Sequence, residues 1–186
     1  MRITGGTLSG RQIRVARTGV RPTQDMVREA LFSMLAGRVA GCRFLDLFAG
    51  SGAVGLEAWS RGAELVQWVE LSKRAVPILR RNIKELCGEK GRVWAGDVAR
   101  YLKQAGGEAQ FDVVFADPPY AEPRSGDGRR EWLERLLSAL GEGEVLAPDG
   151  VFVMEQRADE PLCEHEGWEL LRDRRYGEAR LRIFSQ

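Results

Sequence analysis

The sequence predicts an α/β fold in which a mostly parallel sheet is covered by helices. From residue 43 onward, short apolar runs rich in β-branched and aromatic residues alternate with segments of helical periodicity. Strands buried on both faces have this composition, and their alternation with helices is typical of a parallel sheet. The length of 186 residues fits one domain with a continuous core. We divide it into an N-terminal appendage, residues 1–40, and a main domain, residues 41–186.

The appendage begins with a predicted β-hairpin. Residues 2–15 alternate apolar and polar side chains on both sides of a centre rich in glycine and serine. Apolar residues then recur with helical spacing at positions 27, 31, 34 and 35, which predicts a helix. We expect Thr23 to be the N-cap of this helix and Gly37 to end it.

Four strands are predicted in the first part of the main domain. They are "RFLDLFA" from residue 43, "LVQWVE" from 65, "RVWAGD" from 92 and "FDVVFAD" from 111. The helical segments between them lie around residues 53–61, 73–87 and 98–105. Pro77 falls inside the second segment, and proline in a helix interior removes a backbone hydrogen bond. We therefore expect that helix to start late or to bend.

The remaining third of the chain predicts a loop, a helix and three strands. The loop "AEPRSGDGRR" is polar and contains glycine, and the helix "EWLERLLSAL" and the strand "GVFVMEQ" follow it. The last residues contain two strand patterns joined near Tyr176 and Gly177. We expect these two strands to form an antiparallel hairpin at the edge of the sheet.

Composition predicts a soluble, cytoplasmic protein. Hydrophobic residues make up 44% of the chain and charged residues 30%, and no apolar run approaches the roughly 20 residues of a membrane helix. The first ten residues lack the apolar core of a secretory signal. The three cysteines are scattered, so neither a disulfide framework nor a zinc site is indicated, and we expect no metal. No apolar edge or heptad pattern indicates an oligomer, so we expect a monomer.

Charge is distributed unevenly along the chain. Residues 1–40 carry seven arginines and two acids, a balance of +5, whereas the rest of the chain carries a balance of −4. A basic segment on an acidic body is typical of proteins that contact a phosphate backbone, and a solvated charged face is the alternative. Arg11, Arg14 and Arg17 are our candidates for this contact.

The predicted strands of the main domain end in acidic residues. In an open α/β sheet, ligands bind outside the carboxyl ends of the strands, so these ends are where a site is expected. The first strand carries its acid just before a glycine-rich loop. The four acids, in chain order, are Asp46, Glu70, Asp97 and Asp117.

The loop after the first strand predicts a cofactor that contains a nucleoside. Gly50, Gly52 and Gly55 satisfy the pattern G-x-G-x-x-G between a strand and a helix, where glycines let a ligand approach the backbone N–H groups. Glu70 ends the next strand about 20 residues on, where an acid accepts hydrogen bonds from ribose hydroxyls. This pattern alone does not distinguish S-adenosylmethionine from NAD.

Two observations favour S-adenosylmethionine. Asp46 lies beside the glycine loop, where an acid suits the amino group and sulfonium of S-adenosylmethionine and would repel a pyrophosphate. The fourth strand ends in Asp-Pro-Pro-Tyr, which a nicotinamide cofactor does not explain. An NAD-dependent oxidoreductase on the same glycine loop is therefore an alternative reading.

Asp117, Pro118, Pro119 and Tyr120 predict methylation of an exocyclic amine on a nucleobase. The lone pair of such a nitrogen is delocalised into the ring, and hydrogen-bond acceptors favour its pyramidal form. The Asp117 carboxylate and the Pro118 carbonyl are two such acceptors, and the prolines hold the carbonyl in place. Tyr120 would stack on the base. An adenine-N6 methyltransferase acting on DNA would use the same residues, and a catalytically silent RNA-binding protein is a further alternative.

The sequence resembles the bacterial RsmD family, the 16S ribosomal RNA guanine-N2 methyltransferases. The resemblance is carried by "GVRPTQDMVREALFSML", "LDLFAGSGAVGLEAWSRGA", Glu70 and "FDVVFADPPY", and it extends over nearly the whole chain. It implies a class I, Rossmann-like methyltransferase fold with seven strands, the last of them antiparallel. It also implies methylation of a guanine in 16S rRNA, within the small ribosomal subunit or an assembly intermediate.

The resemblance also implies roles for individual residues. Asp46, Gly50 and Gly52 would hold the methionine end of S-adenosylmethionine, Glu70 the ribose, and Asp97 the adenine amine. The target guanine would be held by Asp117, Pro118 and Tyr120. The neighbouring candidates for cofactor contact are Phe48, Ala49, Ser51, Leu71 and Val98.

One segment of the appendage departs from the family pattern. Arg21 and Thr23 would close over the cofactor or the RNA, but relatives usually have arginine where this chain has Met26. We expect this departure to leave Asp25 without a neighbouring basic partner.

Overall fold

The computed structural model describes residues 1–15, 23–88, 91–106, 110–119, 130–162 and 165–186. Three candidate site residues, Arg17, Arg21 and Tyr120, lie outside this part of the chain, as does the loop predicted after Tyr120. Only the backbone of Thr23 is described.

Seven strands form one mixed sheet with the spatial order β3-β2-β1-β4-β5-β7-β6. The pairs β3-β2, β2-β1, β1-β4 and β4-β5 are parallel, whereas β7 is antiparallel to both β5 and β6. The predicted α/β fold and its antiparallel end are therefore confirmed. The strands are β1 (Arg43–Leu47), β2 (Leu65–Glu70), β3 (Arg92–Ala95), β4 (Phe111–Ala116), β5 (Leu146–Arg157), β6 (Glu169–Tyr176) and β7 (Ala179–Ser185).

In the described part of the chain, five helices accompany the sheet: α1 (Thr23–Met34), α2 (Ala53–Ser60), α3 (Ala75–Cys87), α4 (Val98–Ala105) and α5 (Arg130–Glu142). Helix α3 starts late, as predicted, because its first residue is Ala75 and Pro77 then lies in the first turn, where no N–H is required. Helix α1 differs from its prediction. Its first residue is Thr23, the expected N-cap, and it ends at Met34, three residues before Gly37, whose φ is 83°.

The N-terminal residues pair more loosely than a regular hairpin. A single antiparallel bridge joins Arg2 to Gln12, and the N–H of Ile3 donates to the carbonyl of Arg11 at 3.0 Å. The side chains of Ile3 and Ile13 are buried in the same hydrophobic cluster as residues of α1, α2 and the sheet. The N–H of Gly10 also donates to the carbonyl of Ile3 at 2.9 Å, and the N–H of Ile13 to that of Met1 at 3.0 Å, so the segment is held both by backbone pairing and by packing.

The core has two parts, one on each face of the sheet. One contains the N-terminal segment and helices α1, α2 and α3, and the other contains helices α4 and α5. Burial of apolar surface on both faces explains why the central strands read as continuous apolar runs in the sequence.

The predicted C-terminal hairpin is confirmed. Strands β6 and β7 pair from Glu169–Ser185 to Tyr176–Ala179, and Gly177 turns between them with a φ of 60°. Strand β6 is the outermost strand on its side of the sheet. In the part of the chain that the structure describes, no helix is long and apolar enough to cross a membrane.

Candidate cofactor and substrate site

The predicted acids lie at one edge of the sheet. Asp46 is in β1 and registers with Trp68 of β2 and Phe115 of β4, while Glu70 ends β2 and Asp117 directly follows β4. Because these strands are parallel, their carboxyl ends meet at the same edge. The structure therefore brings together acids that are far apart in sequence.

A cleft of about 180 Å³ opens at this edge. One wall is the loop after β1, and strands β4 and β5 contribute two acids. The other wall comes from the N-terminal segment and α1. The lining residues are Met1, Val27, Arg28, Leu31, Asp46, Phe48, Ala49, Gly50, Ser51, Ala53, Val54, Phe115, Asp117 and Glu155.

The glycine loop leads directly into helix α2. Phe48 has a φ of 61°, a left-handed conformation that is uncommon for residues other than glycine and that occurs often at ligand sites. Gly52 has a φ of 84° and precedes the first residue of α2, so the N–H groups of the first turn face the loop. The indole N–H of Trp68 donates to the carbonyl of Gly52 at 3.3 Å and holds the loop against the sheet.

Gly55 has a packing role. A Cβ atom at this position would lie 2.2 Å from the indole nitrogen of Trp68, a fully buried residue of β2. Helix α2 can therefore approach the sheet this closely only with glycine here. The third glycine of the motif serves the contact between helix and strand, while the first two shape the loop.

Asp46 is a buried carboxyl group within a cluster of acids. It is 1% exposed, and its Oδ2 accepts a hydrogen bond from the N–H of Gly55 at 2.9 Å. Burial raises its pKa to about 7, the Gly55 hydrogen bond opposes this rise, and the charges of Asp117 and Glu70 add to it. A positively charged ligand in the cleft would stabilise the ionised form of Asp46.

Glu70 fixes the backbone on both sides of its strand end. One carboxylate oxygen accepts from the N–H of Gly50 at 2.6 Å, and the other accepts from the N–H of Ser72 at 2.6 Å. Leu71 beside it is 65% exposed. Glu70 and Leu71 thus present a polar and an apolar contact next to each other.

Asp97 caps helix α4. Its Oδ1 accepts a hydrogen bond from the N–H of Arg100 at 3.0 Å, so this acid has a structural role in addition to any ligand contact. The side chain of Asp97 is exposed, whereas that of Val98 is buried in the core. Any contact of Val98 with a cofactor would therefore be made through its backbone.

The Asp-Pro-Pro turn lies where β4 ends. Asp117 is half-buried and lines the cleft, Pro118 is buried, and Pro119 is exposed. Of the two acceptors assigned to the target amine, the Asp117 carboxylate therefore belongs to a residue that lines the cleft, and the Pro118 carbonyl belongs to the next residue along the chain.

The arginines of the appendage have different environments. Arg11 and Arg14 are exposed, and the guanidinium of Arg14 forms an ion pair with Glu85 at 3.2 Å. Arg28 is 3% exposed and pairs with Asp25 at 3.1 Å and with Glu57 at 3.3 Å. The expectation that Asp25 lacks a basic partner is therefore wrong, because one helical turn brings Arg28 beside it.

Several lining residues were not found from the sequence. Glu155 lies in β5 at the level of the other acids, and extending the strand-end argument to the fifth strand would have found it. Arg28 also lines the cleft, although no local pattern in the sequence indicates that it is buried. Val27 and Leu31 were predicted only as the apolar face of α1. No feature of the sequence indicates that Met1 lines the cleft.

The site contains no evident metal centre. Among the residues that the structure describes, no three His, Cys, Asp or Glu side chains are grouped so that they could hold a metal ion.

The fold is that of the class I methyltransferases. The solved structure of the yhhF protein of Escherichia coli superimposes with a TM-score of 0.86 at 33% identity, covering 100% of this chain and 97% of that chain. SMU.776, solved in complex with SAH, gives a TM-score of 0.68 at 18% identity and covers 90% of this chain and 50% of that chain. At that identity the likeness shows the fold alone.

The chain belongs to the family described as conserved hypothetical protein 95, whose model matches residues 1–185. Among its relatives is the ribosomal RNA small subunit methyltransferase D of Haemophilus influenzae. That protein is 35% identical over 188 residues, an alignment that covers 100% of this chain and 93% of the relative. The resemblance to the RsmD family is therefore confirmed.

Proposed function

We propose that this protein transfers a methyl group from S-adenosylmethionine to the exocyclic N2 amine of a guanine in 16S rRNA. The observation that carries the proposal is that Asp117, which begins the Asp-Pro-Pro turn, lines a cleft together with the further acids Asp46 and Glu155. The full-length relationship to small subunit rRNA methyltransferases supports the substrate class. We further propose that the protein acts as a cytoplasmic monomer on the small ribosomal subunit or an assembly intermediate.

The charge of the cleft fits S-adenosylmethionine better than NAD. Burial, with a smaller contribution from the charges of Asp117 and Glu70, raises the pKa of Asp46, so a cation that enters the cleft would stabilise its ionised form. A sulfonium and an ammonium group satisfy this requirement. A pyrophosphate would add two negative charges beside the same acids.

Each strand end would contact a different part of the cofactor. Asp46 would contact the cationic methionine end, while the backbone of Gly50 and Gly52 would line the approach to it. Glu70 would accept hydrogen bonds from the ribose, and Asp97 from the adenine amine, with Leu71 packing against the ring. S-adenosylmethionine supplies a methyl group on a positively charged sulfur.

Asp117 and Pro118 would prepare the target amine for attack. Each offers a hydrogen-bond acceptor. Donation of both N–H groups of the amine to these acceptors favours a pyramidal nitrogen, whose lone pair is no longer delocalised into the ring. Pro118 is buried, so its carbonyl keeps its direction without reorganisation during the reaction. The target guanine must leave its stack to enter the cleft, and Tyr120 would stack on it there.

The exposed arginines of the appendage would contact the RNA backbone. Arg11 and Arg14 are exposed, and we propose from the sequence alone that Arg17, Arg21 and Thr23, whose side chains lie outside the described part of the chain, also contact the RNA. Arg14 would exchange its ion pair with Glu85 for a phosphate. An exposed ion pair contributes about 0–1 kcal/mol, so this exchange costs little.

Label transfer tests the substrate class. The protein is incubated with S-adenosylmethionine labelled in its methyl group together with unmodified small ribosomal subunits, free 16S rRNA or duplex DNA. We expect label in the RNA and none in the DNA. Label in DNA alone would contradict the proposal. A change in NADH absorbance with candidate substrates, without label transfer, would favour the oxidoreductase.

A further inference from the structure

The C-terminal hairpin carries an excess of positive charge that the N-terminal arginines do not account for. Residues 172–182 contain five arginines and two acids, a balance of +3. The whole of residues 41–186 has a balance of −4, so the rest of the main domain carries −7. This hairpin is therefore a basic element on an acidic body.

Strand pairing places this charge at the level of the cleft. Arg174 of β6 registers with Leu181 of β7, and Leu181 registers with Glu155 of β5. Glu155 lines the cleft together with Asp117. Since neighbouring strands are about 4.8 Å apart, Arg174 lies about 10 Å across the sheet from Glu155. Arg175 lies one residue further toward the same edge.

Two hairpin arginines are engaged within the protein. Arg182 is fully buried and pairs with Asp173 at 3.3 Å, and Arg180 is half-buried and pairs with the same carboxylate at 3.1 Å. Both guanidinium groups stabilise the contact between β6 and β7. They are not available to a partner.

The other three arginines face solvent, and we call Arg172, Arg174 and Arg175 the β6 arginines. Their guanidinium groups donate only to main-chain carbonyls of nearby residues, at 3.0–3.3 Å. Across the part of the chain that the structure describes, none of the three is within ion-pair distance of a carboxylate. Arg175 also stands directly opposite Arg180, and like charges in this arrangement are destabilising. An anionic partner would relieve this repulsion.

Two of the β6 arginines lie on the same face of the sheet as the appendage. Arg172 and Arg174 register with Ile183 and Leu181, which pack in the same core as α1 and the N-terminal segment. Tyr176, two residues after Arg174 on this face, donates a hydrogen bond from its hydroxyl to the sulfur of Met34 in α1. This face thus continues from the hairpin to α1.

We propose that the β6 arginines form a second contact for the phosphate backbone of the substrate RNA, beside the cleft that receives the target base. The inference rests on the proposed function. Guanidinium groups bind phosphates through two parallel hydrogen bonds, and arginines spaced along an extended strand can contact successive phosphates. Charged residues on an edge strand also prevent pairing with another sheet, but that role does not require a position at the level of the cleft.

The test compares two triple variants of the full chain that remove the same charge. One variant is Arg172→Gln, Arg174→Gln and Arg175→Gln. The control is Lys84→Gln, Arg92→Gln and Lys103→Gln, three exposed cations at the amino end of the sheet or at helix ends near it. Binding of 16S rRNA is measured by filter retention from 50 to 200 mM salt. Urea unfolding and calorimetry with S-adenosylmethionine verify folding and cofactor binding.

We expect the β6 variant to bind RNA about tenfold more weakly at 150 mM salt. The slope of log affinity against log salt should fall by about two, because each lost phosphate contact removes about 0.7–0.9 from it. The control variant should retain the wild-type slope. Equal losses in the two variants, or no loss in the β6 variant, would overturn the proposal.

Two further results separate this proposal from the proposed function. If the wild type methylates rRNA and the β6 variant binds and methylates it equally well, only the phosphate contact is wrong. If the wild type binds rRNA without methylating it and the β6 variant binds more weakly, only the proposed function is wrong. A β6 variant that loses activity on assembled subunits but not on free rRNA would indicate a ribosomal protein as the partner, and would overturn the RNA contact.

Discussion

The chemistry of the cleft depends on carboxyl groups held in different environments. Asp46 is buried and has a pKa raised to about 7, Glu70 is fixed by two backbone N–H groups, and Asp117 lies half-buried at the mouth. We propose that these differences give the acids different tasks. Asp46 and Glu70 suit a cofactor that stays in the cleft, whereas Asp117 can meet a base that enters from outside.

Replacement of Asp117 and of Glu70 should have separate effects. We expect Asp117→Ala to abolish methyl transfer, because it removes one acceptor of the target amine, and to leave cofactor binding within about twofold of wild type. Glu70→Ala should weaken cofactor binding at least tenfold through lost contacts to the ribose and the glycine loop. Calorimetry and label transfer measure the two effects. Equal loss of cofactor binding in both variants would contradict this division of roles.

Cofactor binding should depend on pH through Asp46. The carboxyl is largely protonated below its pKa of about 7, and a cation binds the ionised form, so binding must strengthen as the pH rises through this value. One group of this pKa gives about a tenfold weaker affinity at pH 6 than at pH 8. Calorimetry of wild type and Asp46→Asn across this range tests the effect. A pH dependence that persists unchanged in Asp46→Asn would assign the titration to another group.

The contact between the N-terminal segment and helix α2 rests on Glu57. This residue is fully buried, and its carboxylate accepts hydrogen bonds from the N–H of Thr4 at 2.8 Å and from the N–H of Gly5 at 2.7 Å. Burial alone would raise its pKa, but the bonds from Thr4 and Arg61 and the charge of Arg28 outweigh burial and lower the pKa. One carboxylate therefore joins the segment to two helices.

Neutralising Glu57 should destabilise the protein markedly. Glu57→Gln leaves the buried guanidinium of Arg28 with Asp25 as its remaining carboxylate partner, and breaking a buried pair in this way costs about 3–5 kcal/mol. Urea unfolding measures the loss. Glu64→Gln, on an exposed residue close by, is the matched control and should cost less than about 0.5 kcal/mol. Similar losses of stability in the two variants would show that the ion pairs and hydrogen bonds of Glu57 contribute little.

The elements of the main domain were predictable because their signals are local. Apolar runs located the strands, and the proline in α3 correctly indicated a late helix start. The loose pairing of the first fifteen residues was not predictable, because it depends on packing of Ile3 and Ile13 against distant elements. The burial of Arg28 was missed for the same reason, since its partner Glu57 is 29 residues away.

Five of the ten cofactor candidates collected from the sequence line the cleft, because parallel strands bring their carboxyl ends together, whereas Gly52, Glu70, Leu71, Asp97 and Val98 are not among its lining residues. Asp46, Phe48, Ala49, Gly50 and Ser51 all line the cleft. The wall formed by Met1 and α1 was not predictable, because no local pattern tells where an N-terminal helix docks. The β6 arginines were missed because the charge of the main domain, taken as a whole, is acidic.

At the scale of the whole molecule, the account requires RNA to be held from two sides of the cleft. The appendage and the C-terminal hairpin each carry a net positive charge, whereas the rest of the main domain carries a net negative charge although it also has exposed arginines. This distribution orients a polyanion over the cleft and repels it elsewhere. Neutralising Arg11, Arg14 and Arg17 together should therefore weaken RNA binding and lower its salt dependence. An unchanged salt slope in filter binding would show that these arginines form an ordinary solvated surface and do not contact the RNA.

Identification of the methylated nucleoside tests the central claim most directly. Small ribosomal subunits, free 16S rRNA and duplex DNA that have reacted with S-adenosylmethionine are digested and analysed by mass spectrometry, with Asp117→Ala as the inactive control. The account predicts N2-methylguanosine from the RNA with the wild-type protein and none with the variant. N6-methyladenine from the DNA, or a different modified nucleoside from the RNA, would contradict it.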